Sequence, residues 1–170
     1  MGSLTFIGFG LDGDGRGISL SALEAIEKSD LVYLEIYTNP VNDQISSKLS
    51  KLTSKNIKEV SRDFVEDGRK ILENSLEKEV VLISPGDPMV ATTHTELRVR
   101  GEELGIKTKM IHNASILTAL PGELGLHTYR IGRVVTLTVN TNISITAVYE
   151  TVCENLVRGL HTIILLEYDN

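Results

Sequence analysis

Cysteine occurs once in the 170 residues, at Cys153. A lone thiol excludes a disulfide framework and fits a reducing compartment. It falls inside the helical pattern of Val148–Leu156, where a small packing residue is a better reading than a nucleophile. No apolar run approaches about 18 residues, and no basic stretch precedes an apolar one at the N-terminus, so membrane spanning and secretion are unsupported. A cytoplasmic location is expected. Positive charge is also scarce: 17 Lys and Arg face 23 Asp and Glu, for a net charge of −6. With no dense basic stripe to track phosphates, direct nucleic-acid binding is not expected. The chain has no G-x-S-x-G, P-loop or Ser-His-Asp signature, which leaves hydrolase and kinase readings without support. Its four histidines show no metal-ligand spacing. At 41% apolar and 24% charged residues, the composition is that of a soluble globular chain long enough for a full core.

What is present is an alternation of strands and helices from residue 4 to 111. Val80-Val81-Leu82-Ile83 is a short apolar run, three of its residues β-branched, as in a strand buried on both faces of a parallel sheet. Ser84-Pro85-Gly86-Asp87-Pro88 breaks it, because two prolines lack the N–H and fix φ. The apolar pattern predicts further strands at 4–7, 31–37, 56–60 and 107–111. It predicts helices at 19–28 (a capping box from Ser21 to Glu24, with Leu20, Leu23 and Ile26 inward), at 42–52 and from Ser61 to Leu76. Another helix is expected over 91–104, with Leu97, Val99 and Leu104 as its apolar positions. Such alternation implies a mostly parallel sheet covered on both faces. After Ile111 the pattern changes: a turn at His112–Asn113 and a short helix lead to glycine punctuation at 122, 125 and 132. A strand over 133–139, a helix over 145–156 and a strand over 161–167 follow. The expected domains are 1–112, an N-terminal α/β domain, and 113–170, a linker and the beginning of an incomplete second α/β domain.

Three loops at predicted strand ends concentrate the chemistry. Gly8-x-Gly10-x-x-Gly13 has the letters of a dinucleotide fingerprint, and Glu35 ends the next strand as a ribose-binding acid would. The spacing argues against it, since the helix should start at the last glycines. Here the first cap is Ser19, and Asp12 and Asp14 would repel a pyrophosphate. A ligand with positive charge and no phosphate fits better. Gly10 and Leu11 would allow close backbone approach and apolar contact, Asp87 a counter-charge, and a helix starting near Ser115 free N–H groups for a carboxylate. The sulfonium, ammonium and carboxylate of S-adenosylmethionine match that set.

The motifs G-F-G-L at 8–11, Y-L-E-I-Y-T at 33–38, G-D-P-M-V-A-T-T-H-T at 86–95, I-H-N-A-S-I-L at 111–117 and G-L-H-T-I-I-L-L-E at 159–167 resemble the diphthine synthases. These are methyltransferases of the tetrapyrrole-methylase-like class. The resemblance implies an α/β fold of the tetrapyrrole methylase type in two domains, with S-adenosylmethionine as cofactor and S-adenosylhomocysteine as product. It implies methylation of a modified histidine of translation elongation factor 2 in diphthamide biosynthesis, a homodimer, and a second domain that continues past residue 170. Carried over by position, the cofactor contacts are Leu11, Asp87, Val90, Ser115, Ile116 and Leu166. No metal and no protein nucleophile are implied, and Tyr37, Thr92 and His94 are candidates for lining the pocket. Where the family has T-G-L-Q-x-Y, this chain places His127 at the glutamine position. Two other readings stay open: a tetrapyrrole (precorrin-type) methyltransferase, which A-T-T-H-T and H-N-A-S-I fit less well, and a non-catalytic binding module, prompted by the short second domain.

Overall fold

Five parallel strands form one sheet, ordered β3-β2-β4-β1-β5: β1 Ser3–Gly8, β2 Leu31–Glu35, β3 Ile57–Val60, β4 Glu79–Ser84 and β5 Lys107–Ile111. The structure is a computed structural model that describes residues 2–39, 41–138 and 141–167. The apolar run at 80–83 lies at the centre of the sheet, flanked by β2 and β1 in register: Leu34 pairs with Ile83, and Ile7 with Ile83 from the other side. As expected of a strand covered on both faces, Val80 to Ile83 are all buried.

Side chains alternate across this sheet into two cores. One face gathers Ile7, Phe9, Val32, Leu34, Val81 and Ile83 under α1 (Leu20–Lys28) and α2 (Ile45–Thr53). The other gathers Leu4, Phe6, Tyr33, Val80 and Leu82 under α3 (Arg62–Asp67), α4 (Arg69–Ser75) and α5 (His94–Glu103). The chain therefore leaves β1 toward one face and β4 toward the other, and these two strands are neighbours. Between them lies the switch point at which open α/β sheets bind ligands.

Local chemistry differs from the sequence expectation at several helices. Ser19 caps α1 as expected, accepting from Ala22 N at 3.2 Å, but Ser21 lies inside the helix and forms no capping box. Ala22 and Ile26 are buried, whereas Leu20 is exposed, because the cap residue sets which face turns inward. The single helix expected after Ser61 is two: Gly68 takes φ 64° and ends α3 before α4 begins. In α2, Ile45 and Leu49 are buried but Leu52 is exposed. α5 starts three residues later than expected, and only Leu97 of its three apolar positions is buried; Val99 and Leu104 are exposed. Strand β2 stops at Glu35, two residues short of Tyr37.

The chain separates into two compact units, residues 1–115 and 116–170. The second holds α6 (Ile116–Glu123), a 3₁₀ turn (Thr128–Arg130), β6 (Val135–Leu137), α7 (Thr141–Val157) and β7 (Ile164–Leu166). β6 and β7 pair in parallel. Asn155 of α7 ties this unit together through Arg133 N, Arg133 O and the Thr162 hydroxyl. The expected strand 133–139 is shorter, and its Val139 lies outside the described residues. Cys153 is half-buried on α7. Among the described residues no helix is long and apolar enough to cross a membrane, and no cluster of metal-ligating side chains occurs.

Leu97→Ala should cost about 2–5 kcal/mol of stability, and Val99→Ala within roughly 0.5 kcal/mol of nothing. Urea unfolding of the two variants checks this; equal costs would contradict the placement of α5.

Candidate active site

Three loops meet at the carboxyl edge of the sheet. Gly10 and Gly86 exchange backbone hydrogen bonds, Gly10 N to Gly86 O at 3.2 Å and Gly86 N to Gly10 O at 2.8 Å, closing the loop after β1 onto the loop after β4. Both glycines have positive φ, 85° and 66°, a region that side chains resist. The approach is close: a Cβ on Gly8 would collide with Gly86 O and lie 2.9 Å from Pro88 Cδ. The loop after β5 is bound to both. Asn113 Nδ2 donates to Gly8 O at 3.0 Å and to Gly17 O at 2.9 Å. Asp87, 8% exposed, accepts from Met89 N at 2.9 Å and Asn113 N at 3.2 Å, and its Oδ2 lies 2.9 Å from His112 Nδ1.

Asp87 is thus a tie between loops as much as a candidate counter-charge. A carboxylate has about four acceptor positions, and protein groups use three of them. The glycine loop itself is held away from a dinucleotide geometry. The first helix begins at Leu20, and Asp14 is paired with Arg16 at 2.8 Å and Lys48 at 3.6 Å.

Beside this crevice, on the α3–α5 face, lies a second group of polar side chains. Glu35, Ser84 and His94 are all 0% exposed. His94 Nδ1 is 3.0 Å from Pro88 O; a carbonyl only accepts, so Nδ1 carries the proton and Nε2 is a bare acceptor. Burial lowers the His94 pKa, with the Pro88 carbonyl pulling the other way, so the ring is neutral. Glu35 Oε2 accepts from Thr38 N at 3.2 Å, while burial pushes its pKa up to about 7. The Tyr37 pKa rises to about 12, from burial and then from the nearby Glu35 charge, with Thr93 opposing. Arg62 stacks over the Tyr37 ring at 5.2 Å.

The profile of the Tetrapyrrole (Corrin/Porphyrin) Methylases matches residues 3–169. The chain belongs to the tetrapyrrole methylase family. Among curated relatives, the diphthine synthase of Methanosarcina mazei is 41% identical over 98% of this chain and 64% of its own length. The diphthine methyl ester synthase of Dictyostelium discoideum is 40% identical over 96% of this chain and 60% of its own. A crystal structure of a diphthine synthase superposes with TM-score 0.85 at 36% identity, covering 96% of this chain and 63% of that one. The chain therefore spans about 64% of the length of the Methanosarcina relative it matches.

Of the expected site residues, Leu11, Asp87, Val90 and Ser115 lie on the three joined loops of the first unit. Leu11 is 44% exposed, and Ser115 is buried. Ile116 opens α6, and Leu166 closes β7 in the second unit, exposed. Sequence reasoning missed Asn113 as the clasp of the loops, although it sits in the H-N-A-S motif. It also missed Ser84, which an apolar strand gives no reason to single out.

The raised pKa of Glu35 carries a stability consequence. Below its unfolded value of 4.5 it is protonated in both states. As pH rises toward about 7 the unfolded chain loses the proton first, so folding stability falls. Glu35→Gln should remove that loss: between pH 5 and 8 the variant should gain about 2–3 kcal/mol on the parent in urea titrations. A difference that does not change with pH would contradict a buried, neutral Glu35.

Proposed function

We propose that this chain carries the cofactor-binding part of an S-adenosylmethionine-dependent methyltransferase of the diphthine synthase type. Its substrate is the modified histidine of translation elongation factor 2, methylated in the cytoplasm by a homodimer. The observation that carries the reading is the closure of three loops over the β1–β4 crevice by Gly10, Gly86 and Asn113. The names of relatives about 40% identical over nearly the whole chain support it.

The residues present suit S-adenosylmethionine, which supplies a methyl group made electrophilic by its sulfonium. The glycine pair allows close backbone approach, and no phosphate-binding helix N-terminus stands at the glycine loop, as a ligand without phosphate requires. Leu11, Asp87, Val90, Ser115 and Ile116 would hold the cofactor. Leu166, by the same resemblance, would add a further contact. Asp87 offers negative charge to a cationic ligand and keeps the 86–89 loop on Asn113. The protein's work is alignment: an attacking atom held close and in line gains much of its rate from lost freedom prepaid on binding.

Calorimetric titration of the chain with S-adenosylhomocysteine, beside NAD⁺, tests this. Expected is binding of the former alone, weakened at least about tenfold by Asp87→Ala, the loss of a charge-assisted bond network worth more than about 1.4 kcal/mol. Binding of NAD⁺ alone would overturn the reading in favour of the glycine fingerprint.

A further inference from the structure

The register of the sheet lays a row of residues along its carboxyl edge. Gly8 pairs with Ser84, and Glu35 with Val60, while Leu34 pairs with Ile83, which puts Ser84 and Glu35 side by side on adjacent strands. Gly8, Ser84, Glu35 and Val60 face α3–α5, as do Phe6, Tyr33 and Leu82 one pleat earlier. At one end of the row Gly8 is pressed under Gly86 and Pro88 of the cofactor loop. At the other is a carboxylate. Ser84 stands between them.

Buried polar groups are almost always hydrogen-bonded, and each exception asks for an explanation. Here the exceptions lie at the end of β2, at the end of β4, in the loop after β2 and at the start of α5. Glu35 Oε1, Ser84 Oγ, His94 Nε2 and the Tyr37 hydroxyl are buried without a hydrogen-bond partner of good geometry in the structure. Neighbouring strands lie about 4.8 Å apart, so Ser84 and Glu35 stand within the span of one water. His94 adds an acceptor anchored to Pro88, and Phe6, with its ring centre 6.0 Å from that of His94, forms an apolar floor. Two bare acceptors and two hydroxyls suit a small hydrogen-bond donor.

We propose that Ser84, Glu35, His94 and Tyr37 enclose a buried, water-bridged site that accepts the proton an amine substrate must shed before it is methylated at the β1–β4 crevice. The proposal rests on the methyltransferase reading. An ammonium has no lone pair. Its N–H proton passes through water and the Ser84 hydroxyl to the Glu35 carboxylate. The freed pair on nitrogen then forms the C–N bond as the methyl leaves sulfur, whose bonding pair remains on it as a thioether. The proton later returns from Glu35 to solvent. A carboxylate acceptor forming a methyl ester sheds no proton and has no need of this site. A Glu35 pKa of about 7 suits the task, since a base works best when its pKa lies near the working pH. The groups that act on Glu35 are Thr38 and Tyr37, just past the end of β2, and Arg62 on α3; Glu66 on α3 acts on Tyr37. Lys58 and Glu59 of β3 point to solvent. Arg62 is the one permanent cation among them, and it pulls the Glu35 pKa down only as a minor cause.

The test uses the full chain with S-adenosylmethionine and elongation factor 2 carrying the amine-bearing modified histidine, with N-methyl and methyl-ester products separated by mass spectrometry. N-methylation by the parent should rise with pH through about 7, as a carboxylate of that pKa ionises. Glu35→Gln should slow it at least about a hundredfold and abolish that rise. Ester formation and S-adenosylhomocysteine affinity should stay within about threefold of the parent, because neither needs a proton acceptor. A readout without turnover comes from carbon-13 NMR of the Glu35 carboxyl in the cofactor-free chain. Its titration should move upward in Ser84→Ala, because the carboxylate loses a donor reaching it through water. Equal slowing of both products would mark Glu35 as structural and overturn the proposal, as would N-methylation by Glu35→Gln with the parent's pH profile. A parent that binds no S-adenosylhomocysteine would instead overturn the methyltransferase reading, and the proposal with it.

Discussion

The two hydrogen bonds between Gly10 and Gly86 are the constraint on which the rest of the crevice depends. Each strand of an open parallel sheet ends in a loop free to wander, and at a switch point the loops diverge toward opposite faces. Two glycines at positive φ let the backbones meet without side chains between them. Once they have met, Gly8 is covered, the 86–89 loop lies over the edge of the sheet, and Asn113 can reach Gly8 and Gly17 together. The local result is backbone packed closely enough to offer its own polar groups to a ligand.

That closure has an electrostatic cost nearby. The loop after β4 returns through Pro88 into α5 and carries His94 into the core, while β2 ends on Glu35 under the same cover. Burial then disfavours the charged form of both, in opposite senses: the histidine pKa falls and the carboxyl pKa rises. Two titratable groups kept close to neutrality, with unsatisfied atoms beside a crevice, are expensive to retain for stability alone.

Much of this was legible in residue order. The run at 80–83 announced a doubly covered strand, and the alternation around it announced a parallel sheet; the structure has that sheet with every pairing parallel. The breaks at Pro85–Pro88 and the H-N-A-S turn announced loops at strand ends. Helix faces were read less well. Leu20, Leu52, Val99 and Leu104 satisfy helical spacing yet are exposed, because spacing names a stripe but not the angle at which a helix meets the sheet. Gly68 split one expected helix in two, a choice made by its left-handed φ.

The sequence by itself determined the fold class, the strand-end position of the glycine and Gly-Asp-Pro loops, and the absence of metal-ligand or nucleophile signatures. These follow from local periodicity and from residues that break it, so neighbours along the chain suffice. Only the tertiary structure decided which loops touch, that Asp87 and Asn113 clasp them, and that Ser84, Glu35 and His94 share one buried face. Those facts depend on strand order: β4 is inserted between β2 and β1, and no local pattern tells a strand which neighbours it will have.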